Sequence, residues 1–143
     1  MTDEEFIQAL ETCTLAPCDF DHAGHVRAVY AYLQSGDFLP TVERMRRAIR
    51  TFAGFLGKPE RYHETITVAY VALIQEYLHE RGNCAGWTGF AHATPELFRA
   101  DLLSSFYSPS QLASDTARKL FVLPRPEHTL RWQAARPEVR KAE

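Results

Sequence analysis

Three histidines at the starts of two predicted helices are the residues of this sequence best suited to chemistry. His22 and His25 are three positions apart, so on a helix they share one face. His63 lies near the start of a later helix, on which Thr67 and Tyr70 follow at helical spacing. The positive end of the helix dipole favours neutral imidazole, which is a common metal ligand. The two helices could therefore converge on one site.

A metal centre is the first kind of site that these histidines predict. With one carboxylate, from Glu64 or Asp21, they would suit Zn²⁺, Fe²⁺ or Mn²⁺. An open coordination position would let such a metal activate water or oxygen. The pattern is not diagnostic, because HxxH spacing is common and the sequence has no HExxH motif.

Two other interpretations of the histidines stay open. In the first, His22 caps its helix, His63 bonds to a backbone carbonyl group and His25 lies at the rim, so that no site forms. In the second, His63 and Glu64 form a metal-free acid–base pocket.

Arginines and tyrosines near the predicted site add further candidates. Arg27 and Arg118 could each bind a carboxylate or a phosphate through the guanidinium fork. Tyr70 is a candidate hydroxyl donor at the site, as are Tyr62 and Tyr107. The structural alternative is that the arginines brace helices and the tyrosines belong to the core.

Capping residues and a 3.6-residue apolar periodicity predict four helices in the first part of the chain. Thr2 and Glu5 form a capping box, Asp19 or Asp21 can cap the second helix, and Gly57 is placed to end the third. The first predicted helix covers residues 3–12, and the second runs from its cap at Asp19 or Asp21 to residue 33. The third and fourth cover residues 41–57 and 61–81. In a simple up-down bundle the second and fourth helices run parallel, which allows their N-terminal ends to be adjacent.

Shorter helices are predicted after residue 90. Thr94 and Pro95 open a fifth helix that extends to about residue 104, and Ser108 with Gln111 forms another capping box. A further helical turn is expected over residues 114–120.

The end of the chain predicts a tail outside the helical domain. Residues 121–123 are apolar and are expected to pack back on the bundle. Residues 125–143 combine prolines with Glu and Arg, and Leu130 and Trp132 are their few apolar anchors. The sequence therefore predicts a domain over residues 1–124, followed by a mobile or partner-ordered tail.

The polar face of the third helix is rich in arginine. Arg46, Arg47 and Arg50 lie on it together with Glu43. A solvated basic face is the expected interpretation, and an anion-binding face is the alternative.

Composition excludes several classes of partner. The 143 residues carry a formal charge of −2 with a pI near 6.3, which predicts neither nucleic acid nor an anionic membrane as a partner. The three cysteines have no CxxC spacing and predict no disulfide framework. No secretory signal pattern and no apolar run of membrane-spanning length is present. We therefore expect a cytoplasmic protein.

Three segments resemble a family of small bacterial all-helical proteins. They are FDHAGHVRAVYAYL at residues 20–33, YHETITVAYVALI at residues 62–74 and FYSPSQLASDTARKLFVLP at residues 106–124. The resemblance implies a bacterial origin and a common helical unit over residues 20–124. It implies no activity for any residue.

These observations together predict an all-α, single-domain bundle of five to six helices. The predicted function is that of a small metal-dependent or histidine-assisted enzyme acting on a small molecule. Its ligands would be His22, His25 and His63, with Glu64 as a fourth ligand or a base and Arg27 and Tyr70 beside them. The alternative is a non-catalytic helical module that binds a protein partner or forms a homo-oligomer.

Overall fold

The computed structural model describes residues 1–83 and 85–125, and this part of the chain is all-α. The α-helices are α1 (Asp3–Glu11), α2 (His22–Leu33), α3 (Phe38–Phe55), α4 (Glu64–Arg81), α5 (Trp87–Ala93), α6 (Pro109–Leu112) and α7 (Asp115–Lys119). Short 3-10 turns occupy Pro17–Asp19, Pro59–Arg61, Pro95–Phe98 and Leu102–Ser105. The described residues contain no strand, which confirms the predicted fold class. Cys84 and nearly all of the predicted tail, including Leu130 and Trp132, lie outside the described residues.

Local capping residues mark the starts of α1 and α2 and the end of α3. Thr2 and Glu5 form both hydrogen bonds of the predicted capping box. Asp21, the second of the two candidates, caps α2 by accepting a hydrogen bond from the amide of Gly24 at 2.9 Å. Gly57 follows α3 with a φ of +74°, a conformation that glycine adopts without strain.

The core forms around α2, which packs against α1, α3, α4 and α5. Its residues Val26, Ala28, Val29, Tyr30 and Tyr32 are all buried. Neighbouring helices contribute Leu10 from α1, Met45 and Phe52 from α3, Val71 and Ile74 from α4 and Phe90 from α5. Burial of this apolar surface is the main favourable term in folding.

The predicted fifth helix over residues 94–104 is wrong. Two 3-10 turns occupy this region, and the extended Arg99 separates them. The hydroxyl of Thr94 does not cap a following helix, because it donates to the carbonyl oxygen of Phe90 at 2.8 Å. The helix of this region is α5, which ends at Ala93, just before the predicted start. The sequence did not reveal it because its N-cap is Gly86 and it has no side-chain cap.

The last described segment, residues 120–125, is held on the bundle through its backbone. Thr65 of α4 donates to the carbonyl oxygen of Leu120 and accepts from the amide of Val122. The Gln111 side chain donates to the carbonyl oxygen of Leu123, so it does not complete the predicted capping box with Ser108. This region therefore packs back as predicted, although its apolar side chains stay largely exposed: Leu120, Phe121 and Leu123.

No helix in residues 1–83 or 85–125 is both long and apolar enough to span a bilayer.

Candidate functional site

A cavity of about 300 Å³ lies between α2, α3 and α4. We call it the histidine cavity, and it is lined by Phe20, Asp21, His22, His25, Val26, Val29, Met45, Ile49, Ile66, Thr67, Tyr70 and Ile74. The lining from α2 extends from His22 to Val29, and that from α4 extends from Ile66 to Ile74. The cavity thus brings together three of the predicted site residues, His22, His25 and Tyr70.

His25 is a half-buried polar residue of this cavity. Its Nδ1 atom donates to the carbonyl oxygen of Asp21 at 2.8 Å, one helical turn earlier. Its ring lies flat against the ring of Phe20, with 3.9 Å between centroids. Burial lowers the pKa of His25 below its ordinary value of 6.5, although the hydrogen bond to Asp21 opposes this shift. His25 is therefore neutral at physiological pH, with its proton on Nδ1.

The second nitrogen of His25 is consequently a hydrogen-bond acceptor. Nε2 carries a lone pair in this tautomer and has no hydrogen-bond partner within the described part of the chain. An imidazole nitrogen in this state can accept a hydrogen bond or a proton from a bound molecule.

His22 lies at the exposed edge of the same cavity. Its Nε2 atom donates to the carbonyl oxygen of Leu97 at 2.9 Å, which ties α2 to the turn after α5. Its ring meets the rings of Tyr70 and Phe98 edge to face, with centroids 5.2 Å and 6.4 Å away. It does not cap α2, since Asp21 does so.

Tyr70 contributes a hydroxyl group that makes no hydrogen bond to the described residues. Burial raises the pKa of Tyr70, and the negative charge of Asp101 acts in the same direction. The phenol is therefore protonated at neutral pH and can donate as well as accept. The hydroxyl of Thr67, by contrast, already donates to the carbonyl oxygen of His63 at 2.8 Å.

His63 is placed away from the histidine cavity and has a structural role. It is the N-cap of α4, where Nδ1 accepts from the amide of Ile66 at 3.2 Å. Its Nε2 atom donates to the carbonyl oxygen of Leu112 at 2.7 Å. Both ring nitrogens are thus engaged, as in the interpretation in which His63 bonds to a backbone carbonyl group.

Glu64 is buried, belongs to an ion pair with the partly exposed Arg46, and does not line the cavity. Arg46 of α3 binds both carboxylate oxygens, at 3.2 Å and 2.5 Å, and the hydroxyl of Tyr62 donates to Oε1 at 2.5 Å. The hydrogen bond from Arg46 keeps the pKa of Glu64 below its ordinary value, against the opposing effect of burial. Burial and the hydrogen bond to Glu64 raise the pKa of Tyr62 to about 12.

The arginine face of α3 is accordingly only partly solvated. Arg46 pairs with Glu64, and the guanidinium group of Arg50 lies 4.6 Å from the ring centroid of Tyr62. Arg47 fits the prediction of a solvated face, since it is exposed and pairs with Glu43.

Arg27 and Arg118 are placed as braces between segments. Arg27 of α2 binds the carboxylate of Asp3 at 3.1 Å and the carbonyl oxygen of Met1 at 2.8 Å. Arg118 of α7 donates to the carbonyl oxygen of Glu60, which joins α7 to the turn before α4. Neither residue lines the histidine cavity.

The residues in place do not fit the predicted metal centre. In the part of the chain that the structure describes, no three His, Cys, Asp or Glu side chains are grouped so that they could hold a metal ion. His22 and His25 would need a third protein ligand, and both nitrogens of His63 are committed elsewhere. The metal-dependent function stays a prediction from the sequence.

The sequence analysis did not predict that Phe20 packs against His25. Phe20 stacks on His25 and also meets Phe52 of α3 edge to face, with 5.2 Å between centroids. The only sequence signal was an aromatic residue just before the Asp21 cap. It stands outside α2 and therefore outside the helical periodicity that guided the prediction.

Comparison with known proteins adds no relative, since no protein-family model, curated protein or solved structure matches this chain. The resemblance of residues 20–124 to a bacterial helical family stays a prediction.

Proposed function

We propose that this protein binds a small molecule in the histidine cavity, where Nε2 of His25 accepts a hydrogen bond or a proton from the ligand. The observation that carries the proposal is an apolar cavity into which one neutral imidazole of fixed tautomer brings a free acceptor. Concave, mainly apolar pockets with a few polar groups are typical of small-molecule sites.

The chemistry that we propose for such a site is assisted by histidine. If the ligand is a substrate, Nε2 of His25 is the base, and the Asp21 carbonyl oxygen keeps the ring oriented through Nδ1. Tyr70 offers a hydroxyl donor at the same cavity. Glu64 and Arg27 have no part in this proposal, because ion pairs engage both outside the cavity.

Binding of 2-naphthol, followed by amide NMR shifts, tests the proposal. The shifts are expected at Val26, Val29 and Ile74, which line the cavity. Ile49→Phe fills part of the cavity and should abolish binding. Ile7→Phe is the matched control, because Ile7 lines a different surface pocket beside α1. Binding of 2-naphthol that survives Ile49→Phe would reject the proposal.

A second candidate, a homodimerisation module, has its own supporting observation. Leu120, Phe121 and Leu123 are 61%, 44% and 73% exposed although they are adjacent and apolar. Exposed apolar patches of this kind favour association with another protein surface. Sedimentation equilibrium of the full chain and of a Leu120→Ser, Leu123→Ser double variant would measure whether each forms a dimer. A dimer in the wild type and a monomer in the variant would support it.

A separate proposal concerns the cellular compartment of the protein. Cys13 and Cys18 are both free thiols, which supports the proposal of a reducing compartment such as the cytoplasm.

A further inference from the structure

The charge of the cavity lining restricts the charge of its ligand. None of the residues that line the histidine cavity is Lys or Arg. The one carboxylate among them, Asp21, is used to cap α2 through Gly24. An anionic ligand would therefore lose its hydration without gaining a cationic partner, which is costly in an apolar cavity.

The hydrogen bonds of the cavity histidines indicate whether the ligand should donate or accept a hydrogen bond. His25 donates through Nδ1 to Asp21, and His22 donates through Nε2 to Leu97. His25 is neutral, so its other nitrogen, Nε2, is an acceptor. The ligand group that complements Nε2 of His25 is an O–H or N–H donor.

We infer that the ligand class of the histidine cavity is an uncharged, mainly apolar molecule with one hydroxyl or N–H group that donates to Nε2 of His25. This inference rests on the proposed function and adds the chemical class of the ligand. The apolar walls fit the body of such a molecule, with Val29, Ile49, Ile66 and Ile74 around it. A volume of about 300 Å³ admits a molecule of one or two rings.

Three probes with the same two-ring body separate the charge and the donor from the apolar contacts. They are 2-methylnaphthalene, 2-naphthol and 2-naphthoate, whose affinities are measured by NMR titration at pH 7.5. We expect 2-naphthol to bind about five-fold more tightly than 2-methylnaphthalene, as one hydrogen bond contributes. We expect 2-naphthoate to bind about ten-fold more weakly than 2-naphthol, because its charge is unpaired.

Two variants test whether Nε2 of His25 is the acceptor. His25→Phe keeps a ring that can pack on Phe20 but removes the acceptor, so the preference for 2-naphthol over 2-methylnaphthalene should disappear. His25→Gln places an amide oxygen near the position of Nε2 and should restore much of that preference. The Asp21 carbonyl oxygen keeps a partner in both variants, since it also accepts from the amide of residue 25.

The outcomes distinguish failure of this inference from failure of the proposed function. Equal affinity for all three probes, with binding still sensitive to Ile49→Phe, would leave the cavity as a binding site and overturn the ligand class. Tighter binding of 2-naphthoate, or a preference for 2-naphthol that persists in His25→Phe, would also overturn it. Binding of none of the probes would overturn both.

Discussion

The ring of Phe20 lies on the imidazole of His25, with 3.9 Å between centroids and 14° between planes. This contact packs an aromatic wall against the half-buried imidazole. Phe20→Leu removes the stacking and the edge contact with Phe52, and we expect a loss of about 1–2 kcal/mol of stability. We also expect the pKa of His25 to rise towards 6.5, because water reaches the ring. Urea denaturation and NMR titration of the imidazole measure the two effects.

Phe55→Leu is the control for this prediction. Phe55 is 65% exposed at the end of α3, so its replacement should change stability by less than about 0.5 kcal/mol. If Phe20→Leu has as small an effect, the stacked pair does not support the site.

The lowered pKa of His25 predicts a pH dependence of stability. Below pH 6.5 the unfolded chain binds a proton at His25 before the folded chain does, so the free energy of unfolding falls as pH falls. The limit for one group is about 1.4 kcal/mol per pH unit. His25→Gln should remove this contribution, so that its stability declines less than that of the wild type between pH 7.5 and pH 5.5.

Urea denaturation at several pH values measures this difference. His22 and Asp21, the titratable neighbours of His25, are present in both proteins, so subtracting the two curves isolates the contribution of residue 25. Parallel curves would contradict the lowered pKa.

The ion pair between Arg46 and Glu64 should matter for stability and not for ligand binding. Glu64→Gln leaves Arg46 without its charged partner, and we expect a loss of about 1–2 kcal/mol because Glu64 is buried while Arg46 is one-third exposed. Glu43→Gln is the matched control, since Glu43 is exposed and its pairs contribute little. Both variants should bind 2-naphthol as the wild type does. A Glu64→Gln protein that keeps its stability but loses 2-naphthol would instead support the predicted catalytic role of Glu64.

Sequence predicted the parts of this structure that local chemistry determines. The capping box at Thr2, the cap at Asp21 and the glycine after α3 each depend on residues within a few positions, and all are present. The shared face of His22 and His25 was predicted for the same reason. Helical spacing alone is sufficient to place both residues on one wall of the cavity.

Partners that are distant in sequence decided the remaining features. Glu64 looked free because its partner Arg46 lies 18 positions away, and His63 bonds to a carbonyl group 49 positions away. No local pattern reports such contacts. The prediction of a fifth helix was wrong for a related reason. The Thr94 hydroxyl donates back to α5, and α5 has no side-chain cap by which the sequence could have predicted it.

His63 should act as a cap and a brace. His63→Ala removes the acceptor for the Ile66 amide and the donor to Leu112, and we expect a loss of about 1–2 kcal/mol. Asparagine is a good N-cap residue, so His63→Asn should recover about half of that loss. Urea denaturation of the wild type, His63→Ala and His63→Asn measures their free energies of unfolding.

The same variants test the predicted metal centre. Zn²⁺ titration by calorimetry on protein without a histidine tag would reveal a stoichiometric site. Tight binding that both His63→Ala and His63→Asn abolish would restore His63 as a metal ligand and contradict its assignment as a cap.

Replacement of Gly24, between the two histidines of α2, should destabilise the protein even though this glycine lies inside a helix. A Cβ atom at this position would collide with the backbone carbonyl oxygen of Asp19, whose turn covers the start of α2. Glycine to alanine normally stabilises a helix interior by about 0.5–1 kcal/mol, yet here we expect a net loss of about 1–3 kcal/mol as the turn is displaced. Gly54→Ala in α3 is the matched control, because nothing lies within 4 Å of its added Cβ, and it should be stabilising. Because Phe20 adjoins the displaced turn, Gly24→Ala should also weaken 2-naphthol binding, whereas Gly54→Ala should leave it unchanged. Equal stabilisation by both variants would show that the turn can move without cost.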